Sequence, residues 1–151
     1  MNKTLIVGFG SPNGDDRFGW LVIAQLQAVL DGGDAIKAIC CDRSGIDWIH
    51  QYQPVEQLIF VDAVKSGAAP GTAHYLTLTP SEFDNLPPSY SSHGIGLQQG
   101  LAIATEVIAL PEEIEFHGIE LGQCSATAEL SESITEKIIT VAREILKKVR
   151  Y

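Results

Sequence analysis

The chain has 151 residues, of which 45% are hydrophobic and 19% are charged, a balance typical of a globular protein and not of a disordered or fibrous one. Its formal net charge of −9 argues against binding to nucleic acid or to an anionic membrane, because both partners require clustered basic residues. No apolar run is long enough to cross a membrane, and Met1–Thr4 leads directly into the first apolar run, so we expect a cytoplasmic protein without a signal peptide.

The first third of the chain shows a strand pattern, a glycine-rich turn and a helix pattern in succession. The apolar run Leu5–Val7 predicts a buried strand, and the turn that follows it extends to Gly14. From Phe18 onward the apolar residues recur at helical spacing, and Gly32–Gly33 ends that helix. A second strand is predicted for Ala35–Cys41.

The middle of the chain adds a short helix and two further strands. Gly45–Tyr52 has a helical pattern that ends before Pro54. The apolar run Leu58–Val61 predicts a third strand that ends at Asp62, and the alternating segment Thr72–Leu78 predicts a fourth strand at an edge of the sheet.

The last part of the chain begins with a long polar stretch, Thr79–Ser92, which we predict to be a loop. Gly94–Leu110 has helical spacing, and Glu113–Leu121 predicts a fifth strand. The final helix is predicted to begin near Ser133, whose spacing to Glu136 matches a capping box.

Strands that alternate with helices indicate a mostly parallel sheet covered on both faces. We therefore predict one three-layer α/β domain spanning residues 1–151, with five strands and the fourth strand as a candidate antiparallel edge. The sequence contains no internal repeat, linker or low-complexity segment that would divide it.

Candidate catalytic side chains follow several of these elements. Asp15 and Asp16 lie in the turn after the first strand, Asp62 ends the third strand, and His93 precedes a helix. Because parallel strands end at the same edge of a sheet, we expect Asp16, Asp62 and His93 to converge there. Two carboxylates and one imidazole suit nickel, zinc or iron, and three protein ligands leave coordination positions open for water or substrate.

Each of these residues also has an ordinary structural interpretation. Asp16 would stabilise the following helix by about 1 kcal/mol if it were its N-cap. Asp62 would be a turn residue, and His93 would belong to the first turn of a helix. Asp15 is interpreted either as a turn residue or as a partner behind the site. The remaining histidines are expected to have structural roles: His50, His74 and His117.

Competing motifs do not match their required spacing. The glycines at positions 8, 10 and 14 do not form G-x-G-x-x-G, and no G-K-[ST] or G-x-S-x-G is present, so dinucleotide, P-loop and serine-hydrolase sites are not indicated. The cysteines are Cys40, Cys41 and Cys124, which contain no C-x-x-C pair and indicate neither a zinc site nor a disulfide framework.

Short motifs in order along most of the chain resemble the nickel–iron hydrogenase maturation endopeptidases. These motifs are Gly14–Gly19, Val61–Ala63, Ser91–His93 and Gly118–Glu120. The resemblance implies a compact α/β endopeptidase that removes a C-terminal extension from the hydrogenase large-subunit precursor once nickel has been inserted. It also implies that Asp16, Asp62 and His93 engage the nickel, which the substrate presents and the free enzyme does not hold tightly.

The sequence departs from the family pattern around the first turn and after the fifth strand. Gly10–Ser11 stands where the family usually has Gly-Asn, and the turn is one residue shorter. Arg17 stands where glycine is common, and Leu121 where proline is frequent. These differences alter the loop that frames the three candidate ligands and therefore bear on which precursor is recognised.

Two other functions are compatible with the same residues. One is a non-catalytic checkpoint or chaperone that binds a metallated partner without cutting it. The other is an unrelated hydrolase of small esters or amides that uses the same edge of the sheet. In the peptidase hypothesis a metal polarises the scissile carbonyl and activates water, with His93 or a carboxylate moving the proton.

Overall fold

The computed structural model describes residues 3–30, 33, 35–42, 46–86, 97–122 and 129–149. Within these ranges the strands are β1 (Thr4–Gly10), β2 (Ile36–Asp42), β3 (Gln57–Val64), β4 (Ala73–Leu78) and β5 (Ile114–Glu120). The described α-helices are α1 (Phe18–Val29), α2 (Leu97–Val107) and α3 (Glu132–Lys148). Short 3-10 helices cover Gly14–Arg17, Asp47–Gln51 and Pro80–Asn85.

The strands form a single sheet in the order β2-β1-β3-β5-β4. β1 pairs in parallel with both β2 and β3, and β3 pairs in parallel with β5. β4 runs antiparallel to β5 at the edge. The predicted α/β fold with a mostly parallel five-stranded sheet and an antiparallel edge strand is therefore confirmed.

The alternation of side chains along β3 shows how the core is divided into two layers. Leu58, Phe60 and Val64 belong to one buried cluster, which also contains residues of α2. Ile59 and Val61 belong to the other cluster, which contains residues of α1 and α3. Both faces of β3 are thus covered, as expected for a central parallel strand that is apolar throughout.

Two glycines allow α1 to approach β1 closely. A Cβ atom on Gly19 would lie 2.0 Å from the Phe9 carbonyl oxygen, and one on Gly8 would lie 2.4 Å from the side chain of Ile23. Any larger residue at these positions would push the helix away from the strand. The first turn of α1 is therefore held directly against the carboxyl end of β1.

The predicted start of the last helix near Ser133 is correct to within one residue, but the predicted capping box is wrong. α3 begins at Glu132 with Ser131 at the N-cap, so Ser133 and Glu136 lie inside the helix and do not form a capping box. Ser131 makes no side-chain hydrogen bond to the helix backbone, and its hydroxyl donates to Asp15 instead.

The prediction of an unstructured loop over Thr79–Ser92 is also wrong in its first half. Pro80–Asn85 is a 3-10 helix, and Glu82 accepts hydrogen bonds from the backbone N–H and the hydroxyl of Thr79 at 3.0 and 2.8 Å. Residues 87–92 of the predicted loop, and 94–96 of the predicted helix after it, lie outside the described ranges.

Smaller differences concern other element boundaries. The predicted helix Gly45–Tyr52 is a 3-10 helix over Asp47–Gln51, and α2 ends at Val107 instead of Leu110. Asp62 lies inside β3 and does not follow it. Within the described chain, no helix combines the length and hydropathy that a membrane crossing requires.

Candidate functional site

The turn after β1 carries two adjacent buried carboxylates. The chain leaves β1 at Gly10 and enters the 3-10 helix Gly14–Arg17, which we call the acidic turn; Gly14 adopts a φ of +52°, a conformation that favours glycine. The backbone N–H of Ser11 donates to the Asp16 carbonyl at 3.1 Å and closes the turn. Asp15 and Asp16 are both fully buried.

Asp15 connects the acidic turn to distant parts of the chain. Its Oδ1 accepts the backbone N–H of Ser131 at 2.7 Å, and its Oδ2 accepts the Ser131 hydroxyl at 2.7 Å and the N–H of Gly122 at 2.8 Å. A carboxylate at the first turn of α3 is also favoured by the helix dipole. Asp15 therefore fastens the turn after β1 to the segment after β5 and to the start of α3.

Asp16 occupies a different position from its neighbour. The N-cap of α1 is Arg17, so Asp16 is not the cap of that helix. The acidic turn lies against β3 as well as against α1. The fully buried Asp16 carboxylate is thus held on the strand-end side of the sheet, next to the strand that carries Asp62.

Asp62 lies near the carboxyl end of β3, where it pairs in register with Gly118 of β5. It is 6% exposed, and its Oδ1 accepts the backbone N–H of Ala63 at 2.8 Å. Its place inside a paired strand does not match the alternative interpretation of Asp62 as a turn residue. Because Asp62 belongs to a paired strand, the position of its backbone is fixed by the sheet.

The structure brings Asp16 and Asp62 to the same edge of the sheet, because β1 and β3 are parallel neighbours. His93 lies outside the described residues, between Leu86 and Leu97. Among the residues that are described, no group of three His, Cys, Asp or Glu side chains is arranged to hold a metal ion. The three-ligand set therefore remains a prediction.

Glu120, at the end of β5, organises the loop that follows Asp62. It is 2% exposed and accepts hydrogen bonds from the Ser66 N–H at 2.9 Å, the Ser66 hydroxyl and the Gly67 N–H at 3.3 Å. His74 Nε2 lies 3.2 Å from Glu120 Oε1. Burial opposes ionisation of Glu120, but these hydrogen bonds outweigh it and lower its pKa.

Glu120 belongs to the sequence motif Gly118–Glu120, but the motif alone does not predict a role for it. Its partners come from the loop after β3 and from β4, at separations of 46 to 54 residues. A glutamate at the end of an apolar strand was the available signal, because a buried carboxylate needs hydrogen-bond donors. The structural role expected for His74 agrees with this contact.

His117 lies on the opposite face of the sheet from Asp62 and is buried, with 5% of its surface exposed. Burial is the main reason that its pKa is lowered to about 4; the nearby Lys148 ammonium adds to the effect, and the Glu144 carboxylate opposes it. The imidazole is therefore neutral at pH 7 in the folded chain.

The depressed pKa of His117 predicts a pH-dependent stability. An unfolded histidine takes up a proton below about pH 6.5, whereas the folded one does so only near pH 4. The free energy of unfolding should therefore fall as the pH drops through this window, by up to about 3 kcal/mol from this residue. Urea unfolding at a series of pH values measures this dependence. In the His117→Phe variant the free energy of unfolding should fall less steeply between about pH 6.5 and pH 4. An unchanged pH dependence in that variant would contradict the role given to His117.

Comparisons with known proteins agree with this architecture. Over 97% of the chain and 91% of the other chain, the structure matches the hydrogenase maturating endopeptidase HybD from Escherichia coli, with a TM-score of 0.80 at 21% sequence identity. It matches HybD from Thermococcus kodakarensis with a TM-score of 0.78 at 19% identity, over 99% of this chain and 100% of the other. The hydrogenase maturation protease HycI from Thermococcus kodakarensis gives a TM-score of 0.74 at 24% identity, over 97% of this chain and 91% of the other.

These structural matches show that this chain has the same fold as those proteins. A comparison with curated protein sequences finds no significant match. A family model described as hydrogenase maturation protease matches residues 25–148, a range that includes Asp62 and His93 but not the acidic turn. Since this match spans most of the sequence, the chain belongs to the hydrogenase maturation protease family.

Proposed function

We propose that this protein is an endopeptidase that removes the C-terminal extension of a nickel–iron hydrogenase large-subunit precursor after nickel has been inserted. Membership in the hydrogenase maturation protease family supports peptide-bond hydrolysis. The observation that carries the proposal is the location of two buried carboxylates, Asp16 and Asp62, at the carboxyl edge of the sheet. Ligands of open α/β sheets bind at this edge.

In this proposal the nickel arrives with the precursor and is part of the substrate. Asp16, Asp62 and His93 engage it, and a set of two carboxylates and one imidazole is chemically suited to nickel. The ion supplies Lewis acidity toward the scissile carbonyl and an acidified water. Nickel in the precursor then marks it as ready for cleavage.

In this mechanism the protein's own residues hold the reacting groups in place and transfer the proton. Asp62 is held by a central strand, and Asp16 by a turn that Asp15 fastens from behind. Rigid attachment of this kind keeps reacting groups aligned, which is a large part of catalysis by proximity. His93 or one of the carboxylates accepts the proton from the attacking water and passes it to the leaving amine.

The direct test is to incubate the purified protein with nickel-loaded and with nickel-free precursor and to determine the masses of the products. We expect the loaded precursor alone to be shortened, with the missing mass recovered as a C-terminal peptide. Cleavage of both forms would refute the dependence on nickel.

The same incubation, together with an assay on small esters and amides without precursor, separates the two alternative functions. A stable complex with the loaded precursor and no change in its mass would indicate a non-catalytic checkpoint protein. Hydrolysis of a small ester or amide in the absence of precursor, with the precursor left intact, would indicate an unrelated hydrolase. Either result would overturn the proposed endopeptidase.

A further inference from the structure

A cavity of about 260 Å³ lies between α3 and the strands β4 and β5. His117 lines it, and His117 pairs in register with Val61, whose side chain belongs to the α1 and α3 side of the sheet. Asp62 lies on the other face, one residue further along β3. The cavity is therefore separate from the candidate peptidase site.

A buried polar atom borders this cavity. His117 Nε2 has no hydrogen-bond partner among the described residues, although the residue is only 5% exposed. The Tyr75 ring packs beside the imidazole, with 4.8 Å between the ring centroids and an angle of 54°, and its hydroxyl lies 3.2 Å from Thr77 Oγ1. Buried polar groups in native proteins are almost always hydrogen-bonded, so an atom in this state points to a missing partner.

The cavity is also a local concentration of positive charge in an acidic protein. The chain has 10 basic residues against 19 acidic ones, yet Lys137 and Lys148 both line this space. Lys148 Nζ lies 3.1 Å from the centroid of the Tyr75 ring. Neither lysine forms an ion pair with a described residue, and the one carboxylate in the lining, that of Glu144, accepts a hydrogen bond from Lys147.

We propose that this cavity binds a carboxylate carried on a small apolar body. The two ammonium groups supply the charge, His117 supplies a hydrogen bond, and Tyr75 and Val141 contact the apolar part. A neutral imidazole can donate one N–H to a carboxylate oxygen. A hydrogen bond to a charged acceptor in a partly desolvated cavity is among the stronger polar contacts that a protein offers.

Benzoate is a suitable probe, because it joins a carboxylate to a flat apolar ring. We expect titration of the isotopically labelled protein with benzoate to produce saturable shifts in the NMR signals of the His117 and Tyr75 rings. Benzamide, which has the same shape without the charge, should bind at least about tenfold more weakly. Absence of saturable shifts with benzoate, or equal affinity for benzamide, would overturn the proposal.

Two neighbouring lysines give a matched pair of variants. Lys148→Met removes one of the two positive charges that line the cavity, whereas Lys147→Met removes a positive charge from a side chain that is 72% exposed and outside the lining. We expect Lys148→Met to weaken benzoate binding about tenfold and Lys147→Met to change it less than about twofold. Equal weakening by both variants would show general electrostatic attraction instead of a site.

A second variant and a second probe complete the test. His117→Phe keeps the ring and removes its nitrogens, so benzoate binding should weaken while the far-UV spectrum and the cleavage activity stay unchanged; unchanged binding would remove His117 from the site.

The same carboxylate chemistry is found at the end of a peptide. A tripeptide with a free C-terminus that competes with benzoate, when its amidated form does not, would identify chain termini as the source; failure of both to compete would identify free carboxylates.

Discussion

Alanine at position 16, 62 or 93 is expected to abolish cleavage of the nickel-loaded precursor while the chain stays folded. In the proposed mechanism each of Asp16, Asp62 and His93 engages the nickel, so the loss of one leaves the scissile carbonyl unaligned. Removing one proton-transfer group alone costs a reaction about 10² to 10⁴ in rate, and a lost ligand adds to this. The measurement is a time course of product masses with each variant at equal concentration.

Several controls separate catalysis from folding in this series. Asp16→Asn and Asp62→Asn keep the size of each side chain and remove only the charge, so they should be inactive with an unchanged circular dichroism spectrum. Glu136→Ala removes an exposed carboxylate on α3 and should cleave normally. Full cleavage by any one of the three alanine variants would remove that residue from the mechanism.

The second large effect is expected from Asp15, and it concerns stability. Asp15→Ala removes three hydrogen bonds at once and leaves the backbone N–H groups of Gly122 and Ser131 without their acceptor. Hydrogen bonds to a charged group contribute about 1.5 to 3 kcal/mol each and are not additive, so we expect the free energy of unfolding to fall by about 3 kcal/mol or more. Urea denaturation followed by circular dichroism measures this.

Asp15→Asn is the matched variant, because it keeps one carbonyl oxygen as an acceptor and should cost less than the alanine change. At temperatures where both variants remain folded, they should cleave the precursor far better than Asp16→Ala does. If folded Asp15→Ala lost cleavage as completely as Asp16→Ala, the division of roles between the two adjacent aspartates would be wrong.

Local patterns accounted for most of the architecture. The apolar runs Leu5–Val7 and Leu58–Val61 and the helical spacing after Phe18 correspond to β1, β3 and α1. Burial on both faces of a central strand requires continuous apolar sequence, so this signal is carried by the residues of the strand itself. The alternation of side chains in Thr72–Leu78 is likewise a property of the strand's own residues, and it predicted the edge strand β4.

The ends of the helices and the hydrogen-bond partners of the side chains were harder to predict from the sequence. The spacing of Ser133 and Glu136 satisfied the local rule for a capping box, but α3 begins at Glu132 with Ser131 as its N-cap, and the Ser131 hydroxyl donates to Asp15. Glu120 could be seen in the sequence as a glutamate after an apolar strand. Its function in holding the loop at Ser66–Gly67 depends on two strands being neighbours.

The sequence by itself determined the order and type of the main elements and the presence of Asp16 and Asp62 near the carboxyl ends of two strands. These properties follow from periodicity and turn chemistry over a few residues. Only the tertiary structure decided that Asp15 is the anchor, because its partners lie 107 and 116 residues away along the chain. It likewise revealed the cavity beside His117, since Tyr75, His117 and Lys148 meet only when β4, β5 and α3 pack together.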